Sequence, residues 1–78
     1  MICQISLEEG GVVPRHQHPH EQSGYVIEGR MHMNIGGEDF EFEPGDSYSI
    51  PENVEHDARG ITNCLVLDIF SPPREEYR

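Results

Sequence analysis

The stretch "RHQHPHEQSG" places imidazoles at His16, His18 and His20 and an amide at Gln22, one donor at every second residue. On an extended strand, residues two apart project from the same face, so an H-x-H pair can aim two imidazoles at one ion. Two ligands rarely hold a metal tightly, and a further donor has to come from a distant segment. "PENVEH" offers His56. In "NCLVLDIF", Cys64, Val66, Asp68 and Phe70 share one strand face, and Leu65, Leu67 and Ile69 share the other. A carboxylate at Asp68 among apolar neighbours needs a partner or a task. In "GRMHMNIGG", Met31, Met33 and Ile35 form one face, so His32 points the other way and reads as a surface histidine. The two methionines read as core filler, not ligands.

The elements that must position these residues are strands. Short or alternating apolar runs bounded by Gly, Pro, Asn and Asp recur along the chain, and no segment sustains the i, i+3, i+4 spacing of a helix. Strands are predicted at about 2–8, 12–18, 22–28, 30–35, 38–43, 46–50, 54–59 and 62–70. Glycine-containing turns separate them, and Pro72-Pro73 excludes a central strand at the end of the chain. Many short strands at this spacing predict an all-β sandwich or barrel.

With 78 residues and no internal linker, the chain reads as one domain spanning 1–78. A domain of this size buries only roughly 60% of its unfolded surface, so a bound metal or a second subunit would add needed stability. Fifteen acidic residues stand against five arginines and no lysine, for a net charge of -10. A chain without a basic stripe is unsuited to nucleic acid or to a membrane surface. The start "MICQISLEEGG" lacks the features of a signal peptide, and no segment reaches transmembrane length, which predicts a cytoplasmic protein. Cys3 and Cys64, far apart and outside any C-x-x-C pattern, are expected to be buried free thiols and not a disulfide or a metal pair.

Two spaced motifs carry a resemblance to a known family. Gly10, "GVVPR", His16-Gln17-His18, "PHE", Gln22, "SGYVIE" and Gly29 fit a pattern of glycine, five residues, H-x-H, three or four residues, Glu, six residues and glycine, with Gln in place of Glu. Gly45, "DSYSI", Pro51-Glu52-Asn53-Val54-Glu55-His56, "DAR" and Gly60 fit the companion pattern, with Asn53 where glycine is usual and Gly60 where asparagine is usual. Together they resemble the two motifs of the cupins. The resemblance implies a small antiparallel β-barrel of jelly-roll type in which His16, His18, Gln22 and His56 converge on one divalent metal. Pro19 interrupts regular pairing, which puts His20 on the turn or the rim. Asn53 is expected to accept a left-handed backbone. Gly60, lacking the asparagine side chain, is expected to loosen its hairpin.

An amide in place of a carboxylate leaves roughly the full +2 charge on the ion and makes it a stronger Lewis acid. Three imidazoles and a carbonyl oxygen suit Zn, Ni, Fe or Mn without choosing among them.

"HPHEQSGY", "GDSYSIPENVEH" and the ending "LDIFSPPREEY" are similar, more narrowly, to the pectin-degradation cupins of the KdgF type. That group opens 4,5-unsaturated uronates to linear 4-deoxy-5-keto sugars. The resemblance implies pocket roles for Asp68, Phe70 and Arg74, with Asp68 moving a proton and Arg74 pairing with the uronate carboxylate. It implies a sugar-acid substrate. A homodimer is expected, because a barrel this short leaves strand edges for a second copy to cover. Two other classes stay open at this point: a metal enzyme using oxygen, and a binding or sensory module without turnover.

Overall fold

The computed structural model describes residues 1–71. Eight strands follow in chain order: β1 (Ile2–Leu7), β2 (Val12–His16), β3 (Glu21–Glu28), β4 (Met31–Ile35), β5 (Glu38–Phe42), β6 (Ser47–Ile50), β7 (His56–Gly60) and β8 (Cys64–Ser71). Each lies within a few residues of a strand expected from alternation. Among the described residues no helix is long and apolar enough to cross a membrane.

The strands form two four-stranded sheets, β1-β8-β3-β6 and β2-β7-β4-β5. Every pairing is antiparallel. Apart from the β4–β5 hairpin, each connection carries the chain from one sheet to the other, as in a jelly roll. The expected all-β jelly roll is present, while the barrel is not closed among the described residues. The edge strands β5 and β6 are consecutive but belong to different sheets, so the sheets close by packing their faces together and not through a continuous hydrogen-bonded wall.

Side-chain parity explains what lies between them. Met31 and Met33 of β4, Val26 of β3, Ile50 of β6 and Val66 of β8 are buried in the core. His32, on the opposite face of β4, meets Asp39 at 3.2 Å.

One departure from regular strand geometry shapes the site. In β2 the register runs from Val13 opposite Ala58 to His16 opposite His56, so three steps on β2 match two on β7. This bulge reverses the parity of the strand: Val13 and His16 both line the interior, where strict alternation would have turned His16 outward. Pro14, which cannot donate to a ladder, sits in the bulge of an edge strand, where its missing amide costs least. At the other end of β7 from His56, Gly60 stands at a close approach of backbone. A Cβ there would lie 2.5 Å from the carbonyl oxygen of Glu8. Its backbone accepts from Gly10 at 2.8 Å and donates to Gly11 at 3.0 Å. The junction is tight, contrary to the loosening expected from the missing asparagine.

Asn53 adopts a φ of 63°, as its place in the second motif required. Its amide donates to the carbonyl of His18 at 2.8 Å, tying the loop before β7 to the segment after β2.

Candidate metal centre

His16 ends β2 and His56 begins β7 directly across from it, with ring centroids 4.3 Å apart. His18 lies just beyond β2, its ring 5.1 Å from that of His56 and 5.6 Å from that of His16. One ligand atom from each lies within 4.8 Å of the others. The three grade from the exposed His16 at the mouth to the buried His56 inside.

The aim of each ring is fixed by the backbone. Nδ1 of His16 meets the carbonyl of Pro14 at 2.8 Å, Nδ1 of His18 that of His20 at 3.1 Å, and Nδ1 of His56 that of Val54 at 2.8 Å. A carbonyl only accepts, so Nδ1 carries the proton and Nε2 presents its lone pair. Metal-binding histidines are commonly held this way, the far ring nitrogen donating to a carbonyl while the near one faces the ion. Nε2 of His56 is buried with no hydrogen-bond partner. Burial, aided by the neighbouring His16 and His18, pulls the His56 pKa below the usual histidine range and favours the neutral, ligating form.

Gln22 of β3 completes the group. Its Oε1 lies 3.1 Å from Nε2 of His18. With Nδ1 of His18 donating to the backbone, these two atoms are acceptors face to face, an arrangement that a cation between them resolves. An orphaned imidazole nitrogen and an inward-facing carbonyl oxygen both fit a divalent ion held by His16, His18, Gln22 and His56. His20 is half-buried in the bend before β3, its ring 6.0 Å from that of His18 and outside the three-histidine cluster.

Behind Gln22 lies Asp68, buried on β8. Its Oδ2 accepts from Nε2 of Gln22 at 3.1 Å, and its Oδ1 accepts from the hydroxyl of Tyr48 at 2.5 Å. Burial raises the Asp68 pKa above the ordinary carboxylate range, while the two hydrogen bonds and nearby His56 act in the opposite sense. Phe70, two residues on, meets the ring of His18 edge-on at 5.6 Å. All of these except His20 border one cavity of about 150 Å³ whose walls include Ile5, Leu7, Met31 and Met33. Arg74 lies outside the described residues.

The residue that sequence reasoning missed is Tyr48. Its signal was present in "SYSI", where alternation pairs Tyr48 with the buried Ile50 and so buries a hydroxyl that needs a partner.

The family model described as the cupin domain matches residues 4–70. The chain belongs to the cupin family. No curated protein sequence matches this cupin. Among solved structures, an RmlC-like cupin from Shewanella frigidimarina is 36% identical with a TM-score of 0.89, covering 100% of this chain and 70% of its own. KdgF from a Halomonas species is 34% identical with a TM-score of 0.88, covering 100% of this cupin and 73% of its own chain. The cupin domain of Cnp3 from Schizosaccharomyces pombe superposes with a TM-score of 0.88 at 10% identity, covering 96% of this chain and 57% of that one, a likeness of fold alone.

Proposed function

We propose that this cupin is a metal-dependent, non-redox enzyme that opens an unsaturated uronate or related sugar acid to a linear keto sugar. The observation that carries the reading is the amide of Gln22, held between the three-histidine cluster and a buried carboxylate. The 34% identity to KdgF over the full length of this chain supports it.

A divalent ion bound by His16, His18, Gln22 and His56 would supply Lewis acidity toward substrate oxygens. Burial raises the Asp68 pKa and makes its carboxylate a better proton acceptor, which suits it to move a proton during the reaction. In hydration of the enol-ether double bond, the Asp68 carboxylate takes a proton from the incoming water and passes it to the carbon remote from the ring oxygen. The hydroxide that water leaves adds to the carbon that bears the ring oxygen, and Asp68 ends as the carboxylate it began as. The resulting hemiketal then opens. Phe70, packed on His18, offers an apolar surface to the face of the sugar ring. Arg74 is proposed to pair with the uronate carboxylate, offsetting the long-range repulsion from an acidic protein. A homodimer covering the strand edges belongs to the same reading.

The test is to incubate the metal-loaded protein with 4,5-unsaturated galacturonate and follow loss of the ultraviolet absorbance of its conjugated double bond. The expected result is acceleration that a chelator abolishes. A rate no faster than the spontaneous one overturns the proposal.

A further inference from the structure

We propose that Asp68 and Tyr48 decide which end of the Gln22 amide faces the histidines, and so are positioning residues for the fourth metal ligand. This rests on the reading of His16, His18, Gln22 and His56 as one metal site.

The two ends of a primary amide are nearly identical in shape and opposite in chemistry. The oxygen accepts hydrogen bonds and can bind a metal, whereas the NH2 group only donates and cannot. A glutamine ligand therefore needs something that a glutamate ligand does not: a reason to point one way. Either oxygen of a glutamate would serve. A glutamine turned about its last bond presents two hydrogens to the ion.

Asp68 supplies that reason. An ionised carboxylate only accepts, so the NH2 end of Gln22 is the one that fits against Oδ2, at 3.1 Å, and the oxygen is left facing His18. The carboxylate is itself fixed, because its other oxygen takes the Tyr48 hydroxyl at 2.5 Å. Gln22, Asp68 and Tyr48 are each no more than 8% exposed, so water does not offer the amide alternative partners.

The tyrosine reaches Asp68 from two strands away. Tyr48 on β6, Gly24 on β3 and Asp68 on β8 are in register, one row across the sheet. A Cβ on Gly24 would lie 2.0 Å from Cζ of Tyr48 and 2.3 Å from its hydroxyl oxygen. The phenol thus crosses the middle strand over a backbone with no side chain, and any other residue at position 24 would block the path. Polarity is passed from Tyr48 to Asp68 to Gln22, ending at the atom that meets the ion.

The experiment exchanges the polarity without changing the shape. In Asp68→Asn, the remaining carbonyl accepts from Tyr48 and the new NH2 group faces Gln22, favouring the amide orientation that turns its own NH2 toward the histidines. Affinity for Zn²⁺ or Ni²⁺ alone, measured by calorimetry on the full chain, is expected to fall roughly 10- to 100-fold. The visible spectrum of the Co²⁺-loaded protein should change with the altered donor set.

Adding Gln22→Glu to Asp68→Asn gives the asparagine NH2 group a carboxylate to donate to and leaves an oxygen for the ion, so binding is expected to return at least to the original affinity. Tyr48→Phe, which releases one side of Asp68, should weaken binding severalfold in the same direction. It provides a second arm should Asp68→Asn fail to fold when circular dichroism is recorded in chelator. Absence of ion binding by the unaltered protein would refute the metal site itself. Binding by the unaltered protein together with equal affinity and an unchanged Co²⁺ spectrum in Asp68→Asn would refute the positioning role alone. Failure of the double variant to regain affinity would also refute it.

Discussion

Tyr48 occupies the space that a side chain on its cross-strand partner Gly24 would need, its Cζ 2.0 Å from where a Cβ would stand. The contact places a phenol flat against backbone in the middle of a sheet. The absence of a side chain at position 24 is thus a packing requirement and not slack in the strand, whose ladder continues on both sides.

Gly24→Ala is expected to destabilise the protein by about 1–3 kcal/mol, the usual cost of forcing atoms into a packed interior. In a Tyr48→Ala background the same change should cost little, since the space is then open. Urea melts of the four proteins in this cycle measure the coupling. Equal costs of Gly24→Ala in both backgrounds would contradict the contact.

Burial, reinforced by Asp68, pushes the hydroxyl of Tyr48 far above its ordinary value of 10.0. In the unfolded chain this phenol loses its proton at about pH 10, whereas in the native state it keeps it. Its contribution to stability is therefore complete below about pH 10 and is lost as the pH rises beyond, because unfolding then releases a proton. The melting temperature of the native protein should fall more steeply above that pH than that of Tyr48→Phe. Parallel curves would show that Tyr48 titrates normally.

Metal removal should expose how much of the stability is borrowed. An ion present at a hundredfold excess over its dissociation constant adds about 2.7 kcal/mol, which a chelator withdraws. His56→Ala is expected to abolish that increment. In chelator it should cost less than the roughly 2–5 kcal/mol of a comparable apolar truncation, because it also removes a buried nitrogen that lacks a partner. Denaturant melts with and without Zn²⁺ test both statements.

The two thiols should react in sequence. Cys64 is buried, its Sγ donates to the carbonyls of Arg30 at 2.9 Å and Thr62 at 3.1 Å, and burial raises its pKa. Cys3, expected to be buried, is only half-buried, because it lies on the edge strand β1. It pairs with Asp68, four residues along β8 from Cys64, which separates the two cysteines by about 13 Å and rules out a bridge between them. A thiol reagent should modify one cysteine in the native protein and the second only after denaturant is added.

Alternation made the eight strands legible, because a half-buried sheet imposes a period of two on its residues. The same period placed Asp68 and Phe70 together and turned His32 away from Met31 and Met33. His16 needed the bulge at Pro14 and Arg15, which alternation alone does not supply. The contacts of Asp68 were hidden for a different reason. Gln22 and Tyr48 reach it because β8, β3 and β6 are neighbours, and strand order depends on how the whole chain crosses between sheets. The open seam between β5 and β6 was obscured likewise, since local pattern does not distinguish a closed barrel from two facing sheets.

The imidazoles take their aim from carbonyls two residues away in sequence: Pro14 for His16, His20 for His18 and Val54 for His56. None of those anchors is a side chain of the cavity wall. Ile5, Leu7, Met31, Met33 and Val66 can therefore exchange size and shape without turning a ligand away from the ion. Aiming the imidazoles and shaping these apolar walls are inherited separately, so a lineage can remodel that part of the chamber for a new guest while the histidines stay in place.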